Sequence, residues 1–137
     1  MTVTVDRRAE KAMLARYTPE KVTSILKEAA KEGGKAGAAV LRSAAPIGTS
    51  QRLSQYYRRM GLGHGTFRRS VRAAAIRARG GIGSKIGPMG RNAFTRGWIE
   101  LGTTHSRANP WVERSATSAL NAAQRGSEAV LERYSND

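Results

Sequence analysis

The run Gly-Gly-Ile-Gly-Ser-Lys at residues 80–85 is the first place where residue types and spacing could do chemistry, since closely set glycines ahead of a lysine can cradle phosphates. Lys85 is followed by Ile86, not by the Ser or Thr that would hold magnesium, and the first glycine lies too close to it for a phosphate loop. The glycines therefore read as a turn. His64 and His105 are the only histidines, and neither has a partner at metal-ligand spacing. The only aspartates, Asp6 and Asp137, stand near the two ends, so a Ser-His-Asp arrangement would need those ends to converge on a loop histidine. Glu100 could meet a second carboxylate only through long-range folding. The absence of cysteine removes disulfides, thiolate metal sites and a Cys nucleophile. This inventory predicts no enzyme, no metal and no cofactor.

What the chain does hold is arginine. Arg58, Arg59, Arg68, Arg69, Arg72, Arg77 and Arg79 crowd one stretch, and Arg suits bidentate contacts to phosphate or carboxylate. The net charge is +14, and residues 33–99 contain no Asp or Glu but 13 of the 24 Lys and Arg. The remainder has 11 bases against 10 acids, so nearly the whole excess sits in the middle of the chain. Isolated charges are ordinarily a solvated surface, whereas so long an acid-free stretch predicts a face for DNA or for an acidic neighbouring protein. Tyr56 and Tyr57, beside Arg58 and Arg59, could stack on bases, although core or interface packing is the more ordinary use of such tyrosines.

The elements that must carry these residues are set by periodicity. Residues 6–17 predict a short helix, with Ala9, Ala12, Met13 and Arg16 at helical spacing. Thr18, Pro19 and Glu20 supply an N-cap, a proline at the first helical position and an acid in the first turn. From there an apolar stripe, Val22, Ile25, Leu26, Ala29, Ala30, Gly33, Ala36, Gly37, Val40, Leu41 and Ala44, predicts one long helix over 19–45, ended by Pro46. Each glycine in that stripe weakens the helix by about 1 kcal/mol relative to Ala. Either a close neighbour, sheet or second subunit, requires them, or the helix bends near Gly33 and Gly34.

Residues 47–66 read as a basic connecting loop, within which Ser50 to Met60 could form a short basic helix. Residues 67–79 fit a helix by periodicity, but Gly80-Gly81 is a hairpin signal, and 82–87 and 93–101 are short segments bounded by Gly, Pro and Asn. The expectation is three antiparallel strands within a sheet region at 67–103. Asn109 is the expected N-cap of a last helix over 110–134, whose apolar face starts at Trp111 and Val112. The result is a single α+β domain over 1–137, a small antiparallel sheet packed against a long N-terminal helix and a C-terminal helix. With aromatics at only 6%, its core must rest on Ala, Val, Ile and Leu with Trp98 and Trp111 as anchors, leaving part of the folding energy to partner subunits. No run of 18 apolar residues and no signal-like start is present, so the expectation is a soluble protein made in the cytoplasm, with no membrane partner.

Four fragments then stand in a telling order: Ala45-Pro46, Gly65-Thr66-Phe67-Arg68-Arg69-Ser70-Val71, Trp98-Ile99-Glu100-Leu101-Gly102-Thr103, and Asn109-Pro110-Trp111-Val112. Their order and spacing resemble the neck proteins of long-tailed bacteriophages, the head-to-tail joining or tail-completion family. In that family an Ala-Pro and a Thr-Gly-Leu-Arg-Arg-Ser motif precede the sheet, and an aromatic-Val-Glu-Phe-Gly-Thr motif, a Pro-Phe and a helix close the domain. The resemblance covers roughly residues 19–134. This chain departs from the pattern by its basic insertion after Pro46 and by Trp98 and Trp111 where smaller aromatics are usual.

The resemblance implies a structural virion protein, assembled in the bacterial host cytoplasm, whose copies form a ring between head-closure and tail proteins with DNA passing through. It also implies that Trp98, Glu100, Gly102, Thr103, Pro110 and Trp111 determine the fold rather than bind a ligand. A tail terminator capping the tail tube is the nearest alternative. A histone-like nucleic-acid-binding protein is the alternative of another class, and it gives no account of the Glu-Leu-Gly-Thr and Pro-Trp fragments.

Overall fold

A computed structural model describes residues 1–4, 7–47, 59, 66–78, 81–90, 99–102, 104 and 107–136. Its longest element is the expected helix, here α2 (Pro19–Ala44), which comes after strand β1 (Thr2–Thr4) and the short helix α1 (Arg7–Leu14). Thr18 is its N-cap: the side-chain oxygen accepts the backbone N–H of Lys21 at 3.4 Å, and Pro19 occupies the first helical turn. After α2 come a single helical turn α3 (Thr66–Ser70), strands β2 (Val71–Ala78) and β3 (Gly81–Pro88), and the C-terminal helix α4 (Trp111–Ser135).

The three strands form an antiparallel sheet in the order β1-β3-β2. A hairpin is present, but one residue earlier than Gly80-Gly81 implies: Gly81 is a strand residue opposite Ala78, and Val71 lies opposite Pro88. Both helices lie on one side of the sheet, with α2 packed against β2, β3 and α4. This is the α+β architecture expected.

Two expectations about the strands are corrected. Phe67, Arg68, Arg69 and Ser70 are helical, so the strand begins only at Val71; helical periodicity holds for this one turn, and the hairpin governs the chain from Val71 onward. Residues 99–101 are helical too, and the third strand is β1, whose Val3 pairs with Ser84. Nothing in the short Thr-Val-Thr segment distinguishes it from a loop until β3 offers a partner edge. The rest of the expected 93–101 strand lies outside the described residues.

α2 runs unbroken through Gly33 and Gly34, and both glycines are sites of close approach. A Cβ on Gly33 would overlap the Ser127 hydroxyl and stand 2.5 Å from the Ala123 carbonyl oxygen on α4. On Gly34 it would meet Ser84 Oγ at 2.7 Å and Ala73 Cβ at 2.9 Å on the sheet. The adjacent glycines thus open α2 on two sides, toward the second helix and toward the sheet.

Each opening is filled by a serine that bonds the helix backbone one turn earlier. Ser127 Oγ donates to Ala29 O at 3.0 Å, and Ser84 Oγ donates to Ala30 O. Ala29 and Ala30 stand four residues before Gly33 and Gly34, so their carbonyls already accept the glycine amides in the helix ladder and use a second lone pair for the serines. The buried hydroxyls are thereby satisfied, as burial requires.

This narrow waist separates two apolar clusters. One joins Met13, Val22, Ile25, Leu26, Ala29 and Ala30 to Val130 and Leu131. The other joins Ala38, Leu41 and Ala45 to Val71, Ile86, Trp111, Ala119 and Ala123. Each large side chain buried in them contributes about 1.5–3 kcal/mol of transfer free energy.

Candidate partner-binding face

Of the arginines expected to face a partner, the structure keeps some free on the surface and binds one to the end of α2. Arg58 and Arg79 lie outside the described residues, and Arg59 is exposed. Arg68 is corrected: its Nε donates to Ala45 O at 3.1 Å and its Nη2 to Ser43 O at 2.8 Å. It therefore caps the C-terminal carbonyls of α2, groups that no intrahelical donor reaches and where a cation also meets the negative end of the helix dipole. In the opposite sense Arg42, in the last turn of α2, donates from Nε and Nη2 to Val71 O at 3.1 and 2.8 Å. The two guanidinium groups clasp the end of α2 to the α3–β2 junction.

Arg69, Arg72 and Arg77 remain exposed. They do not form one face, because strand side chains alternate. Val71 is fully buried and Ala73 packs on the core, so odd positions of β2 point to the helices and even ones away. Arg72 therefore projects from the outward face, whereas Arg77 shares the inner phase at the strand's end.

Lys85, in the segment expected to be a strand, stands on β3 and joins Arg72. Ala74 pairs with Lys85 and Arg72 with Gly87, so the two cations are diagonal neighbours on the outward face, about 7 Å apart at the backbone. A turn centred on Gly80-Gly81 would have set Lys85 opposite Ile76; the observed register, with Ala78 opposite Gly81, lies one residue earlier and sets Lys85 opposite Ala74. Around them stand Thr2, Thr4, Ala74, Gly83 and Gly87, with Ile76 half-buried. No strand among the described residues contains an Asp or Glu.

Acids occur instead on the helices and on the 99–101 turn, and several are already matched. Glu32 accepts from Lys35 at 2.7 Å, a bond that holds its carboxyl below the usual glutamate range. Glu28 accepts from Tyr134 at 2.9 Å and lies 3.5 Å from Arg133.

Glu100 has a different use. Its carboxylate accepts the backbone N–H groups of Glu113 at 3.1 Å and Val112 at 3.3 Å, capping α4 from a distant segment. The expected N-cap, Asn109, is thus corrected: Pro110 holds the cap position without a side-chain bond, and Asn109 Oδ1 instead accepts from Arg114. A carboxylate at a helix N-terminus satisfies orphan amides and meets the positive end of the dipole.

Gly102 has φ +78°, the left-handed conformation anticipated for the turn. Leu101, between Glu100 and Gly102, is 82% exposed. Trp111 is buried with its ring 5.6 Å from Phe67 at an interplanar angle of 81°, an edge-to-face contact. Trp98 and Thr103 lie outside the described residues.

Among the described residues no group of three or more His, Cys, Asp or Glu could hold a metal ion, and no helix is long and apolar enough to cross a membrane. The fold and surface define an α+β protein whose sheet face is basic and whose helical face is of mixed charge. No family model, curated protein or solved structure matches the chain.

Proposed function

We propose that the chain is a structural, ring-forming subunit of the neck of a long-tailed phage, joining head-closure proteins to the tail without catalysing a reaction. The observation that carries this reading is the link between its two most specific sequence fragments. Glu100 of the Glu-Leu-Gly-Thr fragment caps the helix opened by Pro110-Trp111. Fragments ten residues apart are thus one local device, which supports reading them as a single motif. Phe67 of the Arg-Arg-Ser fragment packs on Trp111, and Arg68 of the same fragment caps the helix that ends at Ala45-Pro46. All four fragments therefore converge on the end of the molecule where α2 stops and α4 starts.

The test is electron microscopy of lysates from the phage or prophage that encodes the chain, with its gene deleted. Filled heads beside unattached tails of normal length are expected. Tails of irregular length would transfer the assignment to a tail terminator, and intact infectious particles would remove both.

A further inference from the structure

We infer that the outward face of the sheet, centred on Arg72 and Lys85, is a sequence-independent contact for the phosphodiester backbone of DNA. The inference deepens the proposed function and rests on it for DNA as the polyanion at hand.

The charge of this face has one sign. The strands contribute cations and no carboxylate, while every acid among the described residues lies on a helix or the 99–101 turn. Those acids are interspersed with Lys and Arg or already engaged, as Glu28, Glu32 and Glu100 are. Among the described residues a second copy of the chain thus offers no acidic surface free of cations to oppose the sheet, which favours another kind of molecule as the source of the counter-charge.

Surface relief distinguishes an acidic protein from a nucleic acid as that molecule. A stable protein interface is built round desolvated aromatic or apolar anchors. Among the described residues this face has none: its side chains besides the two cations are Thr2, Thr4, Ala74 and the half-buried Ile76, with the buried glycines Gly83 and Gly87 between them. Phosphate contacts need only cations, hydroxyls and a close approach, and such contacts carry no base information. Arg72 and Lys85 are exposed on the outward phase of the sheet, with the exposed Thr2 and Thr4 on the same phase as further donors.

The test is a salt titration of binding to a labelled DNA duplex of arbitrary sequence by fluorescence anisotropy, with the full chain and the Arg72→Ala/Lys85→Ala variant. Wild-type affinity should fall steeply between about 50 and about 200 mM salt. Each lost phosphate contact removes about 0.9 from the slope of log affinity against log salt, so the double variant should be shallower by about 2. Arg125→Ala, on the exposed side of α4, should keep the wild-type slope, and circular dichroism should show all proteins folded.

An unchanged slope in the double variant overturns the assignment, as does tighter binding to polyglutamate than to the duplex. Either result, combined with unjoined heads and tails in the deletion strain, leaves the neck reading standing while the sheet assignment falls. The expected slope change together with intact particles in that strain would do the reverse.

Discussion

Glu100 shows how one side chain can do what its local sequence does not announce. Asn109 is the natural N-cap by residue type, yet the amides of Val112 and Glu113 are met by a carboxylate from another segment. Loss of a cap costs about 1 kcal/mol. Glu100→Ala is therefore expected to lower stability by about that amount in a urea titration, while Glu100→Gln, which keeps an acceptor oxygen, should lose less. Equal losses for the two would mean that the side chain acts through packing alone. The Arg pair at the other side of the same junction is likewise invisible as a pair in sequence. Arg42 and Arg68 are 26 positions apart and indistinguishable from their basic neighbours until their carbonyl partners are placed.

At the scale of the element, α2 is held in a slot between the sheet and α4, and its glycines are what make the slot narrow enough. Alanine at position 33 would gain about 1 kcal/mol of helix propensity. It would also displace the Ser127 hydroxyl from Ala29 O and press on the Ala123 carbonyl, and overpacking of this kind costs about 1–3 kcal/mol. Gly33→Ala should consequently lower the thermal midpoint despite the better helix former. A rise in midpoint would show that α4 yields at the contact. Pairing Gly33→Ala with Ser127→Ala should recover part of the loss, because the smaller partner frees the space that the new methyl enters.

For the whole molecule the dominant quantity is charge. Copies of a +14 chain repel one another, and salt screens that repulsion over a Debye length of about 8 Å at physiological ionic strength. The proposed ring assembly and DNA binding should therefore respond to salt in opposite directions. Light scattering of the DNA-free protein should report a particle mass that rises with salt over the range in which duplex binding weakens. A mass that falls with salt would point to subunit contacts made by paired charges.

The long and the last helix were legible from sequence because an apolar stripe at helical spacing, a Thr-Pro-Glu start and a proline stop are local signals, and local energetics decide them. The β2–β3 hairpin and the positive φ of Gly102 were legible for the same reason. So was the concentration of positive charge, which is a matter of counting. Only the tertiary structure decided the rest: that Thr2–Thr4 completes the sheet, that residues 99–101 are helical, that Arg68 caps the end of α2, that Lys85 stands beside Arg72, and that Glu100 caps α4. Each of these depends on a partner distant in sequence. A strand edge, a bare carbonyl or an orphan amide acts on a side chain only after the chain has brought the two together, so no local pattern records the pairing beforehand.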